Sequence, residues 1–266
     1  MHHCVARVLL TIALAFVGVA PICAQSLRPV SVLVDGGVVA GGATSDPAPG
    51  DPHTTWFAGV TAETARVAMP HHWDFSAAAA FRREPTLTMV RVAPAILPAY
   101  LDAIATSAAL RFAHTSGSVE TALVARIAGT RLDHDQRLTV ADNTIGDWTF
   151  FADAIVELRW YGPGGRALRG GHPPLPLVSA YVGVKHDQRF HRAGDLSNFD
   201  DPTGRIEGGF FIAVWRRANR HGADAISIGA GANVEAALDG DNRLPGGFRV
   251  FARTAIDLAN AFGGSR

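Results

Sequence analysis

The side chains best suited to chemistry lie together in one long polar stretch, residues 188–204. It contains His191, Asp195 and Ser197, the residue types of a nucleophilic site in which a Ser attacks, a His takes its proton and an acid orients the imidazole. Asp195, and not a His, stands two residues before the Ser, so no local His and Ser pair is present. We therefore predict no catalytic residue, and an enzyme acting on membrane lipid stays as an alternative.

Candidate metal ligands are present but are poorly spaced. His71 and His72 are adjacent, and neighbouring residues on a strand point to opposite faces, which is poor geometry for holding one ion. Loop carboxylates suit calcium, but the loop aspartates lack EF-hand spacing and several belong to turn-forming Asp-Pro and Asp-Gly pairs. We expect neither a metal site nor a cofactor. These aspartates are Asp195, Asp200, Asp201, Asp239 and Asp241.

Composition excludes two classes of protein. The chain has 266 residues, in which 24 Lys and Arg balance 24 Asp and Glu, so no net positive charge is available to attract nucleic acid. Apolar residues make up 48% and charged residues only 18%, which is not the composition of a disordered chain. We expect a protein that buries surface and has no nucleic-acid partner.

Residues 1–24 have the pattern of a secretory signal peptide. The apolar run Val8–Ala20 follows a single arginine, and small residues lead to a cleavage site after Ala24. The run is about 13 residues long, whereas a spanning helix needs roughly 20. Both cysteines of the chain lie in this segment, so the single domain predicted for residues 25–266 has no disulfide and no thiolate nucleophile.

Alternation of apolar and polar residues identifies the elements of that domain. Every second residue is apolar in 148–160, and the pattern returns in 226–238 and 248–258. A period of two is that of a β-strand. These segments run for eleven to thirteen residues, about twice the usual strand length of soluble domains. Tilted near 40°, the longest would reach about 33 Å along a barrel axis, enough to cross a hydrocarbon layer.

Eight further segments favour strands, so the chain is predicted to form an all-β, closed antiparallel transmembrane barrel. With the three above they make eleven. Closed bacterial barrels have even counts, so we favour about 12 strands with about 10 as the runner-up. In 98–113 a helix beginning near Pro98 is an alternative to the strand. The eight segments are 30–40, 55–66, 73–82, 86–95, 101–113, 119–131, 178–187 and 205–217.

The chain resembles the bacterial outer-membrane β-barrel proteins. The resemblance rests on the long alternating strands, the signal peptide and the absence of Cys from residues 25–266. Aromatic rings at both ends of the clearest strand, Trp148 and Trp160, suit two membrane interfaces. The resemblance identifies no subfamily. Proteins of this class typically end on an aromatic residue that the assembly machinery reads, whereas here Phe262 is followed by Gly263, Gly264, Ser265 and Arg266.

The resemblance implies a location more than an activity. It places the chain in the bacterial outer membrane, with the lipid bilayer and the outer-membrane assembly machinery as partners. The function that it implies is that of a small, porin-like pore or a structural membrane protein, and we favour a protein that is not an enzyme. A soluble secreted barrel that binds a ligand is a further alternative, and it requires the apolar strand faces to point inward.

The faces opposite the apolar ones carry charges of both signs. Two interpretations stay open: a water-filled lumen whose charges select solutes, or a lumen filled by paired side chains that offset one another's desolvation. The predicted lumen-lining residues are Asp153, Glu157, Arg159, Glu207, Arg217, Asn233, Glu235, Arg249, Arg253 and Asp257.

Three consequences of the barrel can be compared with a structure. The last strand should pair with segment 30–40 to close the ring. If Leu238 faces Phe248 in the final hairpin, Asn233 lies opposite Arg253. The outward residues should be exposed in the absence of lipid, and they are Phe150, Ala154, Val156, Leu158, Ile226, Ile228, Val234, Val250 and Ile256.

Overall fold

The computed structural model of the chain describes residues 29–43, 53–92, 95–132, 145–163, 174–191, 203–219, 224–237 and 247–262. The signal peptide expected at 1–24 lies outside the described residues. The elements are β1 Pro29–Ala43, β2 His53–Thr64, β3 Val67–Ala68, a 3-10 turn at Pro70–His72, β4 Trp73–Val92, β5 Ala95–Ser116, β6 Val119–Leu132, β7 Ile145–Trp160, β8 Val178–His191, β9 Thr203–Ala218, β10 Asp224–Ala237, β11 Gly247–Asp257 and α1 Leu258–Phe262.

Ten of these strands form a closed antiparallel barrel. Strands β4 to β11 pair in chain order, β1 pairs with both β11 and β2, and β2 pairs with β4. The two-residue strand β3 pairs only with the beginning of β4 among the described residues. The predicted fold class is confirmed, with ten strands rather than the favoured twelve. We call the end where β1 begins and β11 ends the terminal end, and the opposite end the loop end.

Alternation gives each strand an inner and an outer face, and most of the large apolar residues that are exposed lie on the outer one. Along β11 nearly every second residue is exposed. Most of the predicted outward residues lie on exposed faces, which is the reverse of what a soluble ligand-binding barrel requires. Val156, Leu158, Ile228, Val234 and Val250 are exposed, Ala154, Ile226 and Ile256 are half-buried, and the side chain of Phe150 lies outside the described part.

The first and last strands close the ring, as predicted. Their register runs without interruption from Leu33 opposite Asp257 to Ala43 opposite Gly247. At Gly37 the strands are so close that an added Cβ would lie 1.9 Å from the backbone oxygen of the neighbouring strand. A glycine is therefore required at this point of the seam.

The prediction of two separate strands in 73–82 and 86–95 is wrong, because residues 73–92 form the one strand β4 and the next strand begins at Ala95. Pro85 pairs with Asp102 in an uninterrupted ladder. Within the described residues β2 pairs with β4 only as far as Arg83. Pro85 therefore lies where β4 has an edge, and an edge tolerates a residue without a backbone N–H. Merging these two segments reduces the eleven predicted strands to ten.

Strand β5 replaces the helix considered for 98–113. It pairs with β4 along nearly its whole length, up to Val92 opposite Ala95, whereas its pairing with β6 begins only at Ala103. Residues 84–92 and 95–102 consequently form a β-hairpin that continues beyond the barrel wall at the loop end.

The final hairpin keeps the predicted faces but not the predicted register. Asn233 lies opposite Arg249 and not Arg253, and Glu235 lies opposite Gly247. The shift along β11 is four residues, from 253 to 249. Because this number is even, every side chain stays on its predicted face.

Strand β11 ends where Asp257 caps the short helix α1. Its Oδ1 accepts a hydrogen bond from the backbone N–H of Asn260 at 3.1 Å, the bond that an N-cap side chain makes. Phe262 therefore lies in a helix, out of phase with the strand. No helix among the described residues is long and apolar enough to cross a membrane.

Candidate functional site

Glu120, near the terminal end of β6, is the centre of the most buried group of charges. It has no exposed surface. Its Oε1 accepts hydrogen bonds from Arg111 Nη2 at 2.5 Å and from the Tyr161 hydroxyl at 3.2 Å. The Arg66 guanidinium donates to both of its carboxylate oxygens. Charge-assisted bonds of this kind are the strongest that side chains make, so the carboxylate is held from three directions.

Arg66 reaches Glu120 from across the barrel. It lies in the connection between β2 and β3, whereas Glu120 is on β6, with β4 and β5 between them in the wall. The contact therefore runs through the interior and not between adjacent strands. Side chains from the connection after β2 and from the base of β6 together occupy the terminal end of the lumen.

A second carboxylate joins the same group. Arg111 Nε donates to Glu157 Oε2 at 3.2 Å, and Arg159 Nε donates to Glu157 Oε1 at 2.8 Å. Arg159 also lies 4.0 Å from Glu120. We call the five residues Arg66, Arg111, Glu120, Glu157 and Arg159 the terminal-end network. Buried ions need partners of the opposite sign because desolvation is costly, and here each carboxylate has at least two.

Further ion pairs line the middle of the interior. Arg126 on β6 donates to Asp153 on β7 through two nitrogens, at 2.6 and 2.8 Å. The same guanidinium lies 3.4 Å from Glu207 on β9. Because β9 is two strands beyond β7 in the wall, Arg126 links side chains across a chord of the barrel.

Towards the loop end the interior is filled by a mixture of ionic and uncharged hydrogen bonds. Arg205 pairs with Glu235 at 3.2 Å. Asn233 accepts a hydrogen bond from Arg249 Nε at 3.1 Å and donates one to the Tyr181 hydroxyl at 3.3 Å. These bonds join four strands, β8, β9, β10 and β11, on their inner faces.

The closing seam carries its own buried carboxylate, Asp35 on β1. Arg253 on β11 lies 3.0 Å from it, and Arg82 on β4 lies 3.4 Å from it on the other side. Asp35 therefore ties β1 to its neighbour β11 and, past β2, to β4. This pairing is electrostatic support for the closure itself.

Nine of the ten predicted lumen-lining residues lie on inner strand faces. Arg217 does not: it is exposed and lies opposite Ile226, on the outer face. The cause is a register irregularity between Ile228 and Gly229, where β9 has one extra residue. Such a β-bulge reverses the faces beyond it, so Arg216 points inward and pairs with Asp224 at 2.6 Å. The nine inner residues are Asp153, Glu157, Arg159, Glu207, Asn233, Glu235, Arg249, Arg253 and Asp257.

Sequence reasoning missed several residues of the interior. Arg111, Glu120 and Arg126 had a detectable signal, since each stands at an inner position of a predicted apolar strand. Arg66 had none: it was the last residue of the predicted strand 55–66, whereas β2 ends at Thr64, and its partner is 54 residues away. Its role depends on a contact across the barrel that no local pattern encodes.

The other chemical candidates stay dispersed. His71 and His72 are exposed and lie in the 3-10 turn with φ of 58° and 64°, a left-handed conformation that is uncommon outside glycine but that histidine adopts more readily than most residues. In the described part of the chain no three His, Cys, Asp or Glu side chains are grouped so as to hold a metal ion. Asp195, Ser197 and the aspartates at 200, 201, 239 and 241 lie outside the described residues.

Comparison with known proteins finds similarity to solved barrels only. No protein-family model matches the sequence, and no curated protein matches it. The chain is similar to the translocator domain of autotransporter NalP from Neisseria meningitidis, with 11% identity, 95% of this chain and 97% of that chain covered and a TM-score of 0.32. It is also similar to the transport unit of the autotransporter AIDA-I from Escherichia coli, with 10% identity, 85% of this chain and 89% of that chain covered and a TM-score of 0.35. A third similar structure is Ail, the attachment invasion locus protein of Yersinia pestis, with 7% identity, 85% of this chain and 95% of that chain covered and a TM-score of 0.23. All three are bacterial outer-membrane β-barrels.

Proposed function

We propose that this chain is an integral outer-membrane β-barrel whose interior is occluded, and that it acts as a structural membrane protein and not as a solute pore. Residues 1–24 are its export signal in this proposal, and the assembly machinery of the outer membrane inserts it. The proposal has two parts, a membrane location and a closed lumen, which rest on different residues.

The outer surface supports the membrane location. Its described residues include a broad apolar area, with Val214 as much as 77% exposed, which would be costly in water but is what lipid solvates. Exposed aromatic residues lie at both ends of the wall: Trp73 and Trp215 at the terminal end, Trp56 and Phe248 at the loop end. Aromatic girdles at two interfaces are typical of membrane barrels.

The spacing of these rings fits a bilayer. Trp73 and Phe81 are both exposed on the outer side of β4 and are eight residues apart, which is about 26 Å along the strand and about 20 Å along the axis at a 40° tilt. An apolar band about 25 Å tall is usual for outer-membrane barrels. The band between the rings therefore covers most of that height.

The burial of Glu120 carries the second part of the proposal. A carboxylate with no exposed surface, bound by Arg66 from across the lumen and by Arg111 from the wall, leaves no room for water around it. Positive and negative side chains that pair with each other neutralise the field that would otherwise select a solute. The terminal-end network therefore supports an occluded interior.

Electrical conductance in a planar lipid bilayer tests the closed lumen. The full chain should show little or no conductance, whereas the double variant Arg66→Ser with Glu120→Ser, which removes the contact across the lumen, should conduct. Arg217→Ser is the matched control, since Arg217 is exposed on the outer face. A wild-type chain that conducts as well as the double variant would show an open pore and contradict the proposal.

A further inference from the structure

Two arginines lie in one row on the outer face near the loop end. The registers place Arg83 of β4 and Arg131 of β6 on either side of Ile104 of β5. Ile104 is an exposed outer residue, so the two arginines that flank it stand on the same outer face. Arg131 is itself exposed.

The two arginines lie on the loop-end side of exposed apolar residues. Phe81, two residues before Arg83 on β4, and Ile127, four residues before Arg131 on β6, are both more than half exposed. A guanidinium facing lipid is costly at the middle of a bilayer and is tolerated near its surface. The row Arg83, Ile104, Arg131 therefore lies where hydrocarbon gives way to headgroups.

The geometry of the row suits one anionic group. Adjacent strands are about 4.8 Å apart, so the backbones of Arg83 and Arg131 are about 10 Å apart with β5 between them. The Arg83 guanidinium lies over Trp56 of β2, on the side of β4 away from β6, so the two guanidinium groups flank the surface over Ile104 and do not meet on it. Each offers the planar pair of donors that phosphate oxygens accept. Lys185, the only lysine of the chain, lies on an inner face.

An aromatic ring positions one of the two cations. The Arg83 guanidinium lies 4.0 Å from the centre of the exposed Trp56 ring on β2. Trp at an interface keeps its apolar part in the acyl chains and its N–H at the headgroups. The stacking therefore holds the guanidinium against the wall at headgroup height and leaves apolar surface below it.

We propose that Arg83 and Arg131 bind the phosphates of one anionic glycolipid headgroup, with Trp56 and Ile104 against its sugar and the upper part of its acyl chains. This inference rests on the proposed membrane location. Because both termini of bacterial barrels lie on the periplasmic side, the loop end meets the outer leaflet, and the lipid is one of that leaflet. The recognised group is the phosphate carried by the lipid, and not a free phosphate ion.

The test uses the full chain in phosphatidylcholine vesicles that contain a diphosphorylated glucosamine-disaccharide lipid or its dephosphorylated form. Lipid that stays with the protein after extraction into detergent is counted by native mass spectrometry. The wild type should retain the phosphorylated lipid, and Arg83→Gln with Arg131→Gln should reduce its affinity about tenfold or more, as loss of charge-assisted hydrogen bonds predicts. Arg217→Gln, which removes an exposed outer arginine at the opposite end, should leave the affinity unchanged.

Three results would overturn the inference: equal retention of the two lipids, a double variant that binds like Arg217→Gln, or displacement of the lipid by inorganic phosphate, which would indicate a site for the free anion. If Arg83→Gln prevents folding because it releases Trp56, the retention of the phosphorylated lipid is measured on the single variant Arg131→Gln, which should also bind it more weakly than the wild type. A wild-type chain that carbonate washes from the vesicles overturns the membrane location as well, whereas an inserted chain that does not distinguish the lipids overturns this inference alone.

Discussion

Phe211 of β9 and Phe251 of β11 stack across the interior with their ring planes 2° apart and their centres 6.3 Å apart. Gly231, on the strand β10 between them, lies opposite both residues in the register. A glycine leaves the inner surface of β10 bare at that point, so the two rings meet above its backbone. Aromatic rings that cover a glycine on a neighbouring strand are a recurrent way to pin register in β-sheets.

Gly231→Ala should destabilise the barrel. An added Cβ would lie 2.2 Å from the Phe210 backbone oxygen and 2.5 Å from the Phe251 ring, so strands and rings would have to move, at a cost of about 1–3 kcal/mol. The free energy of unfolding in urea, followed by Trp fluorescence in detergent micelles, measures this. Gly208→Ala is the control, because its Cβ would have no neighbour closer than 3.3 Å. Equal effects of the two substitutions would contradict the stacking argument.

A disulfide across the seam should show that the ring is closed. Val38 and Ala252 lie directly opposite each other on β1 and β11. With the two native cysteines replaced by Ser, the pair Val38→Cys and Ala252→Cys should cross-link and change gel mobility. The control pair is Val38→Cys with Ala230→Cys, since Ala230 is one strand further along, about 10 Å away, which is beyond disulfide reach. Cross-linking of both pairs, or of neither, would argue against the closed register.

A charge in the middle of the outer face should distinguish lipid from water as the surrounding solvent. Val156 is half exposed on β7, four residues before the aromatic end at Trp160. Val156→Lys should cost about 2–4 kcal/mol in a bilayer, whereas Thr121→Lys, an exposed outer residue near the terminal end of β6, should cost about 1 kcal/mol or less. Unfolding in phospholipid vesicles gives both values. If Val156→Lys and Thr121→Lys both lower the free energy of unfolding only slightly, the outer face lies in water and not in lipid.

The hairpin formed by residues 84–92 and 95–102 should be dispensable for folding. Its strands pair only with each other in the described part of the chain, so its removal leaves the barrel ladders intact. Replacing residues 85–102 by Asn-Gly joins Glu84 to its partner Ala103 through a two-residue turn. The shortened chain should keep the heat-dependent shift in gel mobility that folded barrels show. Loss of that shift would mean that the hairpin supports the wall.

Arg111 should be the most sensitive member of the terminal-end network, because it alone donates to both Glu120 and Glu157. Arg111→Met leaves two buried carboxylates short of a partner, and breaking a buried pair typically costs about 3–5 kcal/mol. Arg217→Met, at an exposed position, should be close to neutral. Urea unfolding in micelles compares the two, and similar midpoints would show that the network adds little to stability.

The amino-acid sequence by itself determined which face each residue takes along most strands. Val156 and Leu158 point outward while Asp153 and Glu157 point inward, as alternation predicted, because the direction of a side chain on a strand depends only on the parity of its position. The same local rule made the outer surface apolar along the wall. The barrel class followed from these faces and from the length of the strands.

Contacts between distant segments decided the rest. The register that puts Asn233 opposite Arg249, the continuation of β4 through Pro85 and the bulge that turns Arg217 outward each depend on what the neighbouring strand offers. The reach of Arg66 to Glu120 depends on how β2, β4, β5 and β6 are arranged side by side in the wall. Alternation is a property of a single strand, whereas register, bulges and pairing across the lumen are properties of at least two, and their energies exist only once those strands are packed together.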